Sequence, residues 1–369
     1  MKRILHMTPP EIKNGVYRYI FNHMGYINQE EYQFAFLTKV AEELKQTKEY
    51  GEYRFPVHSL KHTERENKSA LEREIKSTLK EGYDVIHLHT SSWRGFSIEE
   101  IAMDMGIKKV IVHSHSTGID VTDNLERAER LAEHEKYKER FTLRYATDVC
   151  ACSRLAGDWL FGAQIPREKI HILPNAIDVE RYRFRPEIRL KKRRELGLDD
   201  RIIIGNVGRY CYQKNQEFLI RTFSAARQQN AKLFLILMGE GIAELQLKEL
   251  AKELHMEAEV LFMGWQEDVE EYLQAMDVFC LPSRFEGLPI SAIEAQAAGL
   301  KCLISDAVSE EILLTDQAML LPLEEGIWQK ALTDIEANDA RELYGRKLQE
   351  QGYDLRTAAG KLTELYDGN

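Results

Sequence analysis

A chain of 369 residues, 44% of them hydrophobic, is long enough for two domains that each bury a core. Charged residues make up 30% and the formal net charge is −10. That balance argues against a nucleic-acid binder, whose affinity draws on an excess of Lys and Arg. No apolar run reaches the length that crosses a bilayer.

Short apolar runs alternate with amphipathic stretches along the whole chain, the signature of α/β domains with parallel sheets. Residues 3–7 read as a strand, followed by a turn with Asn14 and Gly15 and a helix over 16–26. Strands follow at 34–38 and 55–60, a charged helix at 64–81, a strand at 84–89 and a helix at 98–105. A strand at 109–115, a long polar helix at 125–145, and strands at 149–153 and 170–173 complete the first half. The pattern restarts at 201–207. Further strands are expected at 233–238, 259–263, 278–281 and 301–305, with helices at 217–228, 242–254, 269–275 and 290–298.

Between the halves, residues 179–197 carry Arg181, Arg183, Arg185, Arg189, Lys191, Lys192, Arg193 and Arg194. This stretch reads as a linker and a helix start, with the domain boundary near residue 180. Its cations are either a solvated surface or a contact for anionic lipid. The expected division is 1–180 and 181–352. The five cysteines are scattered, odd in number and mostly inside apolar runs, which reads as buried thiols in a reducing compartment. The first residues are too short and polar for a signal peptide, so a cytoplasmic protein, at most peripheral to a membrane, is expected.

Ligands of open parallel sheets bind beyond the carboxyl ends of the strands. The motifs that carry chemistry fall there. Glu286 and Glu294 stand eight positions apart around Gly287, Leu288, Pro289 and Ser291. Pro289 and Ser291 suit a helix start, whose free N–H groups attract phosphate. Carboxylates on either side can accept from hydroxyl groups, so the segment suits a nucleotide sugar. After the strand at 201–207, Gly208 permits a tight turn, and Arg209 and Lys214 are spaced to reach one anion from a single loop. The turns at Gly239 and Gly264-Trp265 are weaker signals for close backbone approach; the Trp265 indole reads as packing.

Two His-x-His pairs, His87/His89 and His113/His115, each put both rings on one face of a strand. A four-histidine metal site is one reading and satisfied polar residues another. His115, at the strand end, is placed to bond a sugar hydroxyl or orient reacting groups. No ATPase-type phosphate loop, hydrolase elbow, His-Glu-x-x-His helix or Asp-x-Asp metal motif is present.

The Glu286…Glu294 spacing, Arg209 and Lys214 in Gly-Arg-x4-Lys-Asn, and the run 174–178 resemble the retaining glycosyltransferases of family 4. The resemblance covers nearly the whole chain, and the His-Ser-His run is closest to capsular and exopolysaccharide enzymes. It implies the GT-B fold: two Rossmann-like domains with parallel sheets facing across a cleft, and a helix within 353–369 that returns to the first domain. It implies that Glu294 binds the nucleotide ribose, Glu286 the donor sugar, and the backbone of Gly287 and Leu288 the diphosphate or sugar. Gly15 approaches from the first domain, His115 is the cleft histidine with His113 as fallback, and Arg209 and Lys214 stabilise the leaving diphosphate. Where the family has paired glycines, this chain has Asn14-Gly15, and Ala176 replaces a more usual glycine. The implied reaction is retaining, metal-independent transfer from a UDP-sugar to a lipid-linked saccharide, with no separate cofactor. A nucleotide-sugar epimerase on the same architecture, a metal hydrolase on the histidines, and a non-catalytic nucleotide-sugar binder are the alternatives.

Overall fold

The structure, a computed structural model, describes residues 1–335 and 341–368. The chain forms two compact units. The first comprises Met1–Ile119, Asp123–Asn175 and Leu355–Asn369; the second comprises Asp120–Thr122 and Ala176–Asp354.

In the first unit, seven parallel strands lie in the order β3-β2-β1-β4-β5-β6-β7. They are β1 (Lys2–Met7), β2 (Tyr32–Thr38), β3 (Val57–Ser59), β4 (Val85–Thr90), β5 (Lys109–Ser114), β6 (Asp148–Ala151) and β7 (Ile170–Ile172). The strand order reverses between β1 and β4, the position where doubly wound sheets open a crevice. Register sets His6 of β1 beside His87 of β4, and His89 of β4 beside His113 of β5. The helix Leu355–Asp367 packs Ala359, Leu362, Leu365 and Tyr366 into this unit's core. Lys2 Nζ holds its end through Asp367 at 2.6 Å, and Tyr32 Oη donates to the same carboxylate at 2.9 Å. Residue 369, the end of the expected returning segment, lies outside the described residues.

The second unit repeats the plan with six parallel strands in the order β10-β9-β8-β11-β12-β13. They are β8 (Ile202–Val207), β9 (Leu233–Met238), β10 (Val260–Phe262), β11 (Val278–Leu281), β12 (Lys301–Ser305) and β13 (Ala318–Leu321). β9 and β11 are almost wholly apolar because both sheet faces are covered. The order reverses between β8 and β11, so the loops that follow these strands are neighbours.

The basic stretch holds the expected helix start, and part of its charge is bound rather than solvated. It contains the helix Pro186–Leu196, which belongs to the second unit and lies against the helix Val269–Ala275. Arg189 and Arg193 both bind Asp277, whose carboxylate also accepts from Ile203 N at 2.8 Å. Lys192 Nζ meets Glu271 at 2.8 Å, and Arg181 Nε meets Glu270 at 2.9 Å. These four cations are bound within the unit; Arg183, Lys191 and Arg194 remain exposed. Periodicity alone cannot separate the two sets, because partners such as Glu270 and Asp277 lie 89 and 88 residues away.

All five cysteines are free and buried. No helix among the described residues is long and apolar enough to cross a membrane.

Gly239 has φ +143°, and a Cβ there would lie 2.0 Å from the backbone oxygen of Gly208. Its glycine is thus required by the packing of two loops on each other. Gly239→Ala is expected to lose roughly 2 kcal/mol or more of stability, from backbone strain and steric overlap together. Urea unfolding of the purified variant measures it.

Candidate functional site

The loop after β8 meets the loop after β11. Asn215 Nδ2 donates to Pro282 O at 3.1 Å, and Asn206 Nδ2 donates to Cys280 O at 2.8 Å. The first bond joins the two loops and the second joins the strands that carry them. Gly208 has a specific purpose here: a Cβ would stand 3.1 Å from Lys214 Cε, so the glycine leaves room for that side chain.

Lys214 Nζ then reaches Glu286 Oε1 at 2.6 Å, with side chains only 14% and 8% exposed. Ser283 Oγ donates to Glu286 Oε1 at 2.8 Å, and Gln213 Nε2 donates to Oε2 and to Phe285 O, both at 3.0 Å. The carboxylate is thus held on both oxygens. Glu294 lies in the helix Ile290–Ala297, is fully buried, and sits on the same strand-to-helix connection. Pro289 occupies the cap position of that helix and Ser291 lies in its first turn, so the helix starts where the sequence suggests. Gly287 and Leu288 join the two glutamates, with Leu288 buried.

Arg209 and Lys214 stand on this one loop, each with its own carboxylate. Arg209 Nη2 pairs with Asp120 at 3.0 Å, while Lys214 pairs with Glu286. Asp120 also accepts from the backbone N–H of Gln213 at 3.0 Å, so it organises both ends of this loop. Asp120, Gln213 and Ser283 were not singled out from the sequence. Gln213 and Ser283 directly adjoin recognised motifs, which was a usable signal; Asp120 lies far from them in sequence and gave none.

Gly239 and Gly208 lie together through Gly208 N and Met238 O at 3.0 Å, beside the same loop. Trp265 is 46% exposed, so it does not pack into the core as expected.

The remaining candidates belong to the first unit. Gly15 is not a turn residue. It opens the helix Gly15–Met24, capped by Asn14, whose Oδ1 accepts from Val16 N and Tyr17 N. A Cβ at Gly15 would meet nothing within 4 Å, so the fold itself does not require glycine there. His115 follows directly on β5 and is partly exposed.

Below it lies a buried histidine cluster larger than the two pairs suggest, because β1 adds His6. Its ring nitrogens pair as His6 with His89 at 2.9 Å, His89 with His115 at 2.8 Å, and His87 with His113 at 3.1 Å. His6, His87 and His89, or His89, His113 and His115, lie close enough together to surround an ion. The paired separations, however, are those of N–H···N hydrogen bonds, shorter than the about 3.3 Å between two nitrogens on one tetrahedral zinc. Burial pushes His6 and His115 down to about 3 and His23 to about 4, and holds His87, His89 and His113 well below the ordinary imidazole range.

Known proteins resemble this chain along its length. Residues 188–317 match the family model described as glycosyl transferases group 1, and residues 13–181 match that of glycosyltransferase family 4. The chain is 30% identical to EpsF, named as a glycosyltransferase of Bacillus subtilis (strain 168), over 99% of this chain and 96% of EpsF. It is 27% identical to an Escherichia coli UDP-Gal:alpha-D-GlcNAc-diphosphoundecaprenol alpha-1,3-galactosyltransferase, over 64% of this chain and 62% of that one. The crystal structure of Anabaena HepE in complex with UDP superposes with a TM-score of 0.76 at 18% identity, covering 100% of both chains.

The cluster makes stability sensitive to acid. The unfolded rings titrate near 6.5, and the folded rings refuse protons until far lower. Stability is therefore full above about pH 6.5 and is lost as pH falls through that value toward 3. Glu99, pushed up to about 8 by burial, acts in the opposite direction, but as a single group against six. Thermal scans are expected to show the Tm falling by more than about 5 °C between pH 7 and pH 5.

Proposed function

The chain belongs to glycosyltransferase family 4 and has the GT-B fold, and from that premise we propose that it moves a hexose from a UDP-sugar to a lipid-linked saccharide, with retention of configuration, in exopolysaccharide or capsule assembly. The observation that carries this reading is the buried Lys214–Glu286 pair between the loops of the second unit's switch point. Nucleotides bind at such points. The E. coli relative's name supplies the acceptor class, and the HepE complex supplies UDP as the nucleotide.

In this reading the second unit, expected from the sequence over 181–352, takes the donor, and the first, expected over 1–180, the acceptor. Glu294 accepts from the ribose hydroxyls, Glu286 from the sugar, and the backbone at Gly287 and Leu288 faces the diphosphate. Gly208 and Gly239 let the backbone beside them come near the nucleotide. The donor diphosphate takes Arg209 from Asp120 and draws on Lys214, so that both cations stabilise the charge that grows on the leaving group. In the first unit, Gly15 and His115 are assigned to substrate contact. The reaction needs no cofactor and no metal, because Arg209 and Lys214 supply the positive charge. The enzyme works in the cytoplasm, and exposed Arg183, Lys191 and Arg194 are available to lipid phosphates at the membrane face.

The two cations separate in their effects. Arg209→Ala, at a partly exposed side chain, is expected to leave stability nearly unchanged and to lower transfer at least about 100-fold. Lys214→Ala strands a buried carboxylate, so it is expected to lose transfer and also roughly 1–3 kcal/mol of stability. Radiolabelled sugar transfer and urea unfolding measure the two quantities. Turnover close to wild type in both variants would refute the role.

Transfer is expected to persist in excess chelator. Full loss, restored by a divalent ion, would show that a metal takes part.

A further inference from the structure

His6, His89 and His115 form one continuous chain: His6 Nδ1 bonds His89 Nε2, and His89 Nδ1 bonds His115 Nε2. A neutral imidazole has one N–H and one lone pair. His89 uses both of its nitrogens, so if it donates at one it must accept at the other. Only two arrangements then satisfy both bonds. Either every ring carries its proton on Nδ1, or every ring carries it on Nε2. Any mixture sets two N–H groups, or two lone pairs, against each other. The burial that keeps these rings neutral removes the remaining option of an extra proton.

The two ends differ. His6 is 2% exposed, and its Nε2 is buried with no hydrogen-bond partner. Phe34 stacks on this ring at 5.5 Å, and Phe36 lies at 5.6 Å. At the other end His115 is partly exposed, and Nδ1 is the nitrogen that the chain leaves over. The two terminal nitrogens have opposite character: when His6 Nε2 is a lone pair, His115 Nδ1 is a donor, and the reverse. A second chain runs alongside, from Tyr366 Oη to His87 at 2.9 Å and on to His113, with the His87 ring 4.2 Å from that of His89. His23 is spent on Tyr19 O at 2.7 Å.

We propose that His6 is a positioning residue for His115: acting through His89, it sets whether His115 Nδ1 offers a hydrogen-bond donor or an acceptor. A donor suits a phosphate or hydroxyl oxygen, and an acceptor suits a hydroxyl hydrogen. The coupling stands on the geometry of the first unit alone. Its consequence for catalysis rests on the proposed contact of His115 with substrate.

Histidine-selective 15N labelling of the full chain, read by long-range 1H–15N correlation, reports the tautomer of each ring. In the wild-type protein His6, His89 and His115 should show the same protonated nitrogen, as one population. His89→Leu cuts the link without touching either end and should turn His115 into a mixture of both tautomers. His6→Leu should do the same, and adding it to His89→Leu should change His115 no further. Opposite tautomers at His6 and His115 in the wild type, or additive effects in the double variant, overturn the proposal. The wild-type spectrum decides even if a variant fails to fold. A kcat for His6→Leu lowered roughly threefold or more, at unchanged donor KM, supports the catalytic consequence. An unchanged kcat with the tautomers still coupled removes His115 from substrate contact and leaves the coupling intact.

Discussion

An ammonium and a carboxylate 2.6 Å apart, both largely out of water, cost several kcal/mol each to desolvate and are weak evidence for stability. The second unit nevertheless places Lys214 and Glu286 this way and spends Ser283 and Gln213 on holding the carboxylate still. Neither loop makes the pair alone. It exists because the strand order reverses between β8 and β11, which brings segments some 70 residues apart to one edge. The glycine at 208, the left-handed backbone of Asn215 and the bond from Asn215 to Pro282 all serve that meeting. The choice of residues in both loops follows from it.

Much of the architecture was legible in the order of apolar runs, since a parallel strand buried on both faces announces itself. Boundaries were less so. The expected long helix over 125–145 ends at Lys138, and the strand expected over 55–60 is only Val57–Ser59. The first stretch has no local stop signal that fixes its end, whereas in the second Pro56 marks where the strand can begin. In the site, Glu286, Glu294, Arg209 and Lys214 could be found because short motifs after strands carry their own spacing. Their pairing could not. Arg209 pairs with Asp120, a carboxylate far away in sequence. The basic helix shows the same limit: composition marks eight cations, while only long-range contacts reveal that Arg189, Lys192 and Arg193 are interior.

The histidines of the first unit show how register turns separate motifs into one object. Alternation places His87 with His89, and His113 with His115. Parallel pairing of three strands then adds His6 and stacks the rings into hydrogen-bonding distance. Sequence reading weighed these residues as metal ligands or as isolated polar groups. Their spacing instead makes them a network whose members share protons, and no single ring reveals that property.

The helix Leu355–Asp367 has a consequence for biosynthesis. It supplies Leu362, Leu365 and Tyr366 to a core whose other parts leave the ribosome first. At a synthesis rate of about 5–20 residues per second, the opening half waits many seconds for its closing piece. The second unit, made of nearly contiguous chain, can collapse before then. The unit whose strands come first along the chain is therefore completed after the one that follows it, and its apolar core stays open for that interval.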